Sequence, residues 1–187
     1  MPILGITASS ISGSVAGSSY ESISTVTVTS SVSTIDFTSI PATYTHLQIR
    51  GIGRCSIANT GGSNFGVRFN SDTGSNYTYH KMQGNGSVMD AGGSANTNQV
   101  YFADNIINNS NAASIYSGFI IDILDYKNTN KYKTVRGLAG QDINGSGYFG
   151  LSSGVWQNTN AVTSINLVPS GNFIQYTQFA LYGIKGV

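Results

Sequence analysis

Asn64-Phe65-Gly66-Val67-Arg68-Phe69 sets Phe65, Val67 and Phe69 at period two against Asn64, Gly66 and Arg68. That alternation belongs to a strand with one face buried and one face wet. Outward from it, Leu47, Ile49 and Gly51 repeat the pattern. Runs rich in Val, Ile, Thr, Tyr and Phe recur at 20–29, 34–37, 76–82, 99–102, 131–138, 146–151, 161–168 and 178–184. Clusters of Gly, Asn, Ser and Asp separate them, as turns separate short strands. The segment 113–124 differs, because Ser117-Gly118-Phe119-Ile120-Ile121-Asp122-Ile123-Leu124 is apolar on both parities. It is expected to be either a central strand covered on both faces or a strand at a subunit contact.

Helical signals are nearly absent. Glu21 is the only glutamate, and no run repeats apolar residues at i, i+3, i+4 and i+7. About ten strands with closely spaced turns predict an all-β fold, an antiparallel β-sandwich of jelly-roll-like type. Before it, residues 6–19 are mostly Ser, Gly and Ala, too poor in apolar surface to order themselves. The chain is therefore divided into an extended N-terminal arm, 1–19, and a sandwich domain, 20–187. Ile3, Leu4 and Ile6 are the arm residues expected to dock on a neighbouring subunit by strand addition or in a groove.

The 187 residues hold 9 Lys and Arg against 8 Asp and Glu, a net charge of +1, with charged residues at 9%. A quarter is usual in soluble domains. Such a balance does not suit a protein that coats nucleic acid by neutralising phosphates, and no nucleic-acid partner is expected. Low net charge favours association, which predicts a subunit of something larger. Cys55 is the single cysteine, so an internal disulfide or a cysteine-rich zinc site is excluded and a buried apolar role is expected. No cofactor or metal is implied. Met1-Pro2-Ile3-Leu4-Gly5-Ile6 lacks the basic start of a signal peptide, and Phe119-Ile120-Ile121 is far too short for membrane insertion.

Several motifs have plainer readings. Gly150-Leu151-Ser152-Ser153-Gly154 fits a nucleophile elbow, but no helix follows it and both His46 and His80 precede the serine. Asn70-Ser71-Asp72-Thr73-Gly74-Ser75-Asn76 spaces oxygens as a calcium loop does, yet lacks carboxylates and reads as a turn with Asx hydrogen bonds. Asp122 and Asp125, three apart on a strand, point to opposite faces and do not form a catalytic pair. Lys127, Lys131, Lys133 and Arg136 gather about half the positive charge beside them. They read as a solvated hairpin or intersubunit contact, with Lys131 and Lys133 on one face. No catalytic residue is expected, and polysaccharide hydrolysis finds little material in 8 scattered acids. The positive signal is aromatic rings beside amides: Tyr77, Tyr79 and His80 near Asn76 and Gln83, and Trp156 near Asn158 and Asn160. Aromatic faces and amides together bind sugars, so Tyr77, Tyr79, His80, Trp156 and Asn158 form a candidate glycan site.

Four stretches matter together: Met1 to Ile6, Ile40-Pro41-Ala42-Thr43-Tyr44-Thr45-His46-Leu47-Gln48-Ile49-Arg50-Gly51, Phe69 to Tyr77, and Phe179-Ala180-Leu181-Tyr182-Gly183-Ile184-Lys185-Gly186. With Asp122 to Lys133, they resemble small tailed-bacteriophage virion proteins over nearly the whole chain. The resemblance implies a structural subunit of the particle, sometimes described as tail fibre, with no catalytic motif to carry over. The expectation is a tail-fibre-like or host-attachment protein on the outer surface of the virion. The alternative is a capsid decoration or head-fibre protein that coats the shell. Its partners would be other virion proteins, further copies of itself, most simply in a trimer that multiplies weak contacts, and a host-surface glycan.

Overall fold

A computed structural model describes residues 19–58 and 63–186, apart from the side chains of 103–105. Twelve strands and no helix form among the described residues, most of the strands with alternating burial. They are β1 (Tyr20–Thr27), β2 (Ile35–Phe37), β3 (His46–Gly53), β4 (Ser63–Phe69), β5 (Tyr77–Gly84) and β6 (Met89–Thr97). Then come β7 (Val100–Ile106), β8 (Ser117–Leu124), β9 (Lys133–Asp142), β10 (Gly147–Trp156), β11 (Ile165–Pro169) and β12 (Gln178–Ile184). Two antiparallel sheets form the sandwich. One has eight strands in the order β1-β12-β3-β8-β9-β10-β5-β6, and the other has four, β2-β11-β4-β7. Twelve strands exceed the eight of a double Greek key.

The inner residues of the two sheets share one apolar core. Phe65 on β4 sits at its centre, its ring 4.6 Å from Phe119 on β8, 5.6 Å from Phe179 on β12 and 5.9 Å from Phe102 on β7. Each such ring, fully buried, contributes about 1.5–3 kcal/mol relative to exposure. Glycines let the sheets close. A Cβ on Gly137 would lie 2.5 Å from the Phe102 ring, and one on Gly154 would lie 2.5 Å from the Val100 side chain, both of the opposite sheet.

Two buried cations tie loops to this core, each through backbone carbonyls and with no carboxylate hydrogen-bonded to it among the described residues. Arg54 is 3% exposed and donates to the carbonyls of Asn111, Ala112 and Ile115 at 2.7–3.0 Å. Lys133 is fully buried, and its Nζ donates to the carbonyls of Asn128, Lys131 and Thr159 at 2.6, 2.8 and 3.0 Å. Lys131 and Lys133 therefore do not share a solvent face. Lys131 lies in the turn before β9, 2.7 Å from Asp125, because Lys133 is the first inward residue of that strand.

β8 lies in the middle of the larger sheet, but only one of its faces is covered. Phe119, Ile121 and Ile123 point into the core, while Gly118 and Ile120 are exposed on the outer face. Ile3, Leu4 and Ile6, and with them nearly all of the expected arm, lie outside the described residues. No helix among the described residues is long and apolar enough to cross a membrane.

Candidate functional site

The expected glycan residues do not converge. Tyr77 and Trp156 are 0% and 1% exposed, so neither ring offers a face to a sugar. Register explains this. Tyr77 on β5 pairs with Trp156 on β10, both point inward, and their rings stack at 6.2 Å beside Phe69. The Tyr77 hydroxyl accepts the Phe69 N–H and donates to the Asp72 carbonyl, each at 3.1 Å, and burial pushes its pKa up to about 12. Tyr79 is half-buried, with its ring edge-on to Tyr101 at 5.3 Å. Asn158 accepts the Asn160 N–H in a turn. Of the five, His80 alone points outward from a strand and is exposed.

The other motifs resolve as turns and strands. Asp72 accepts the Gly74 N–H in an Asx turn, as well as the Asn76 amide and the Trp156 indole. Gly150 to Gly154 runs straight through β10, with Ser152 inward and buried, so no elbow exists. Asp122 sits on the outer face, whereas Asp125 occupies a positive-φ turn against Lys131 and His46. Among the described residues, no three His, Cys, Asp or Glu side chains group as a metal site.

The outer face of the eight-stranded sheet is where unpartnered chemistry collects. Cross-strand register builds three rows on it. In the apolar row, Met82 on β5 pairs with Leu151 on β10, Leu151 with Leu138 on β9, and Leu138 with Ile120 on β8. These four are 38–50% exposed and form one unbroken stripe, ending in Ala91 on β6 and Arg50 on β3.

On one side of the stripe runs a polar row, from His80 through Ser153, Arg136 and Asp122 to Gln48. Three of its side chains, Arg136, Asp122 and Gln48, are locked together. Arg136 Nε donates to Asp122 Oδ2 at 3.0 Å, and Gln48 Nε2 donates to Asp122 Oδ1 at 2.7 Å. Gln48 Oε1 accepts from both Tyr20 and Arg50, each at 2.7 Å. The Arg50 guanidinium covers the Tyr20 ring, and that ring also stacks on Tyr182 at 4.8 Å.

On the other side, the row Phe149, Gly140, Gly118, Ile52 contains a notch. Gly140 and Gly118 face each other across β9 and β8, and a Cβ on Gly118 would meet nothing within 4 Å. Phe149 and Ile52, 50% and 47% exposed, wall this notch. Phe149 leans away from it, over Gly84 on β5, where Met89 also packs. The notch opens into a depression of about 690 Å³.

Compared with models of known families, curated proteins and solved structures, the chain matches none of them. Its function is therefore argued from this face.

The outer stripe is absent from the sequence-based expectation, although one signal pointed to it. Met82, Leu138 and Leu151 each stand on the parity that a half-buried strand gives to polar residues, as Ile120 does in the segment 117–124 that is apolar on both parities. The arrangement offers shape, apolar area and a rigid charged border. Ser153 and His80 are cross-strand neighbours within it, but among the described residues no hydrogen bond joins the hydroxyl to the imidazole.

Proposed function

We propose that the chain is a non-catalytic structural subunit of a tailed-bacteriophage particle, of tail-fibre-like or host-attachment kind. It stands on the outside of the virion and is held by contacts with its own copies and with other virion proteins. The observation that carries this reading is the outer stripe of Met82, Leu151, Leu138 and Ile120. Single soluble chains rarely expose a contiguous apolar patch of this kind, and such patches mark interaction sites. A chain with a net charge of +1 has little self-repulsion to oppose association. The sequence resemblance supplies the setting, and the all-β, turn-rich build suits an exposed particle component.

Recognition of a host glycan, as an attachment protein requires, needs residues other than Tyr77 and Trp156. Their aromatic faces serve the core.

A reconstruction of the intact particle, with mass spectrometry of its proteins, tests the reading. Density for this chain on the tail at low copy number is the expected result. Density spread over the icosahedral shell replaces it with a decoration protein. Absence of the chain from purified particles overturns both.

A further inference from the structure

We infer that the outer face of the eight-stranded sheet binds a second copy of this chain, in a two-fold pair whose axis runs along the strands between β9 and β10. This deepens the assembly reading by naming the partner of the stripe. Two observations select this occupant: the face complements itself, and its area suits a stable dimer.

Complementarity follows from the register. A two-fold axis lying in the interface between β9 and β10 sets β9 over β10 of the other copy, β8 over β5 and β3 over β6. The cross-strand rows are preserved by that rotation. Leu138 then meets Leu151, and Ile120 meets Met82, so the apolar stripe lies on itself. Phe149 stands over Gly140. Because its ring leans toward β5, it reaches over Gly118 as well, and the knob of one copy fills the notch of the other. Ile52 meets Met89. Arg50 and Gln48, the bulky polar residues of β3, fall on Ala91 and Gly93, the small residues of β6. His80 lies against Gly93 on its own sheet, which carries its imidazole above the Asp122–Gln48 pair of the other copy. In these pairs each large group meets a small or apolar one, and the His80 imidazole meets a carboxylate. Aligned sheets cross at about 30°, so these pairings hold best near the axis, where Leu138, Leu151 and Phe149 are.

The area fits too. Six strands overlap in this register, spanning about 29 Å by 20 Å. That footprint, on the order of 600 Å², is raised by side-chain relief toward the roughly 800 Å² each partner buries in a standard stable interface. An interface in which a surface meets itself is closed by a two-fold axis, so the expected species is a dimer rather than the trimer anticipated from fibre symmetry.

Sedimentation equilibrium of the full chain tests this in solution, independently of where the chain sits on a particle. The wild type is expected as a dimer. Gly140→Phe fills the notch without disturbing the subunit, since a Cβ there has no neighbour closer than 3.8 Å. It is expected to weaken the dimer by about 30-fold or more, the scale of a central hot spot. Phe149→Gly added to Gly140→Phe exchanges knob and hole and is expected to restore the dimer. Leu138→Lys, at an exposed position, is expected to give a folded monomer by circular dichroism. A monomeric or trimeric wild type overturns the inference. So does a dimer that Gly140→Phe and Leu138→Lys leave unchanged. Failure here leaves the particle-subunit reading standing, whereas absence from the particle leaves the dimer standing.

Discussion

Trp156 donates its indole N–H to Asp72 Oδ2 at 2.8 Å, so the largest side chain of the core is held by a carboxylate from the turn after β4. The same carboxylate receives the Asn76 amide and the Gly74 N–H. Burial works to raise its pKa, but these three hydrogen bonds outweigh it and hold the carboxyl below its usual 3.8.

The acid sensitivity of the fold follows from that balance. With a folded pKa below the unfolded value, Asp72 stabilises the protein fully above pH 3.8. That contribution is lost as the pH falls through the lowered folded pKa. Urea midpoints measured from pH 6 down to pH 2.5 should fall more steeply for wild type than for Asp72→Asn. Asp72→Ala, which also strands the indole N–H, should cost about 2 kcal/mol at pH 7.

Lys133 is expected to be structural. Its ammonium closes three carbonyls of the β8–β9 hairpin and the loop after β10, and burial lowers its pKa. Lys133→Met keeps the stem but leaves those carbonyls without their donor, so a loss of roughly 2–4 kcal/mol is expected in denaturant unfolding. Lys131→Met, which removes only an exposed pair with Asp125, should cost less than about 1 kcal/mol.

Gly137 marks one close approach of the two sheets. Gly137→Ala drives a methyl into the Phe102 ring and should destabilise by about 1–3 kcal/mol. Phe102→Leu in the same chain relieves the overlap. The double variant should therefore lose less than the two single losses added, a non-additivity that thermal unfolding can read.

Cys55 is fully buried, and burial raises its thiol pKa, so the reactive thiolate is both scarce and sealed. A thiol reagent should label the native protein only as fast as it opens. Labelling and unfolding should therefore share one denaturant midpoint.

How much of this was legible in the sequence depended on one-sided burial. The run 64–69 gave its strand because Phe65, Val67 and Phe69 face a core and their neighbours do not, and 178–184 matches β12 at both ends. β6 went unseen, because Met-Asp-Ala-Gly-Gly-Ser-Ala-Asn-Thr is exposed on both faces at a sheet edge and carries no alternation. Tyr77 and Trp156 sat among amides and looked like a sugar platform. Only the pairing of β5 with β10 shows that the rings turn inward while the amides of Asn76 and Asn158 serve turns. The outer stripe was illegible for a related reason. Its four residues come from four strands, and a single strand with one apolar residue on its wet side is unremarkable until register lines the strands up.

β12 lies between β1 and β3, although some 125 residues separate it from the nearer of these neighbours in the chain. During synthesis, Tyr20–Thr27 has no partner until Gln178–Ile184 has left the ribosome, and β3 keeps an open edge for the same interval. Maturation therefore waits on the last strand. A nascent chain arrested before residue 178 holds a divided sheet with two unpaired edges, which exposes it to chaperones and to premature self-association.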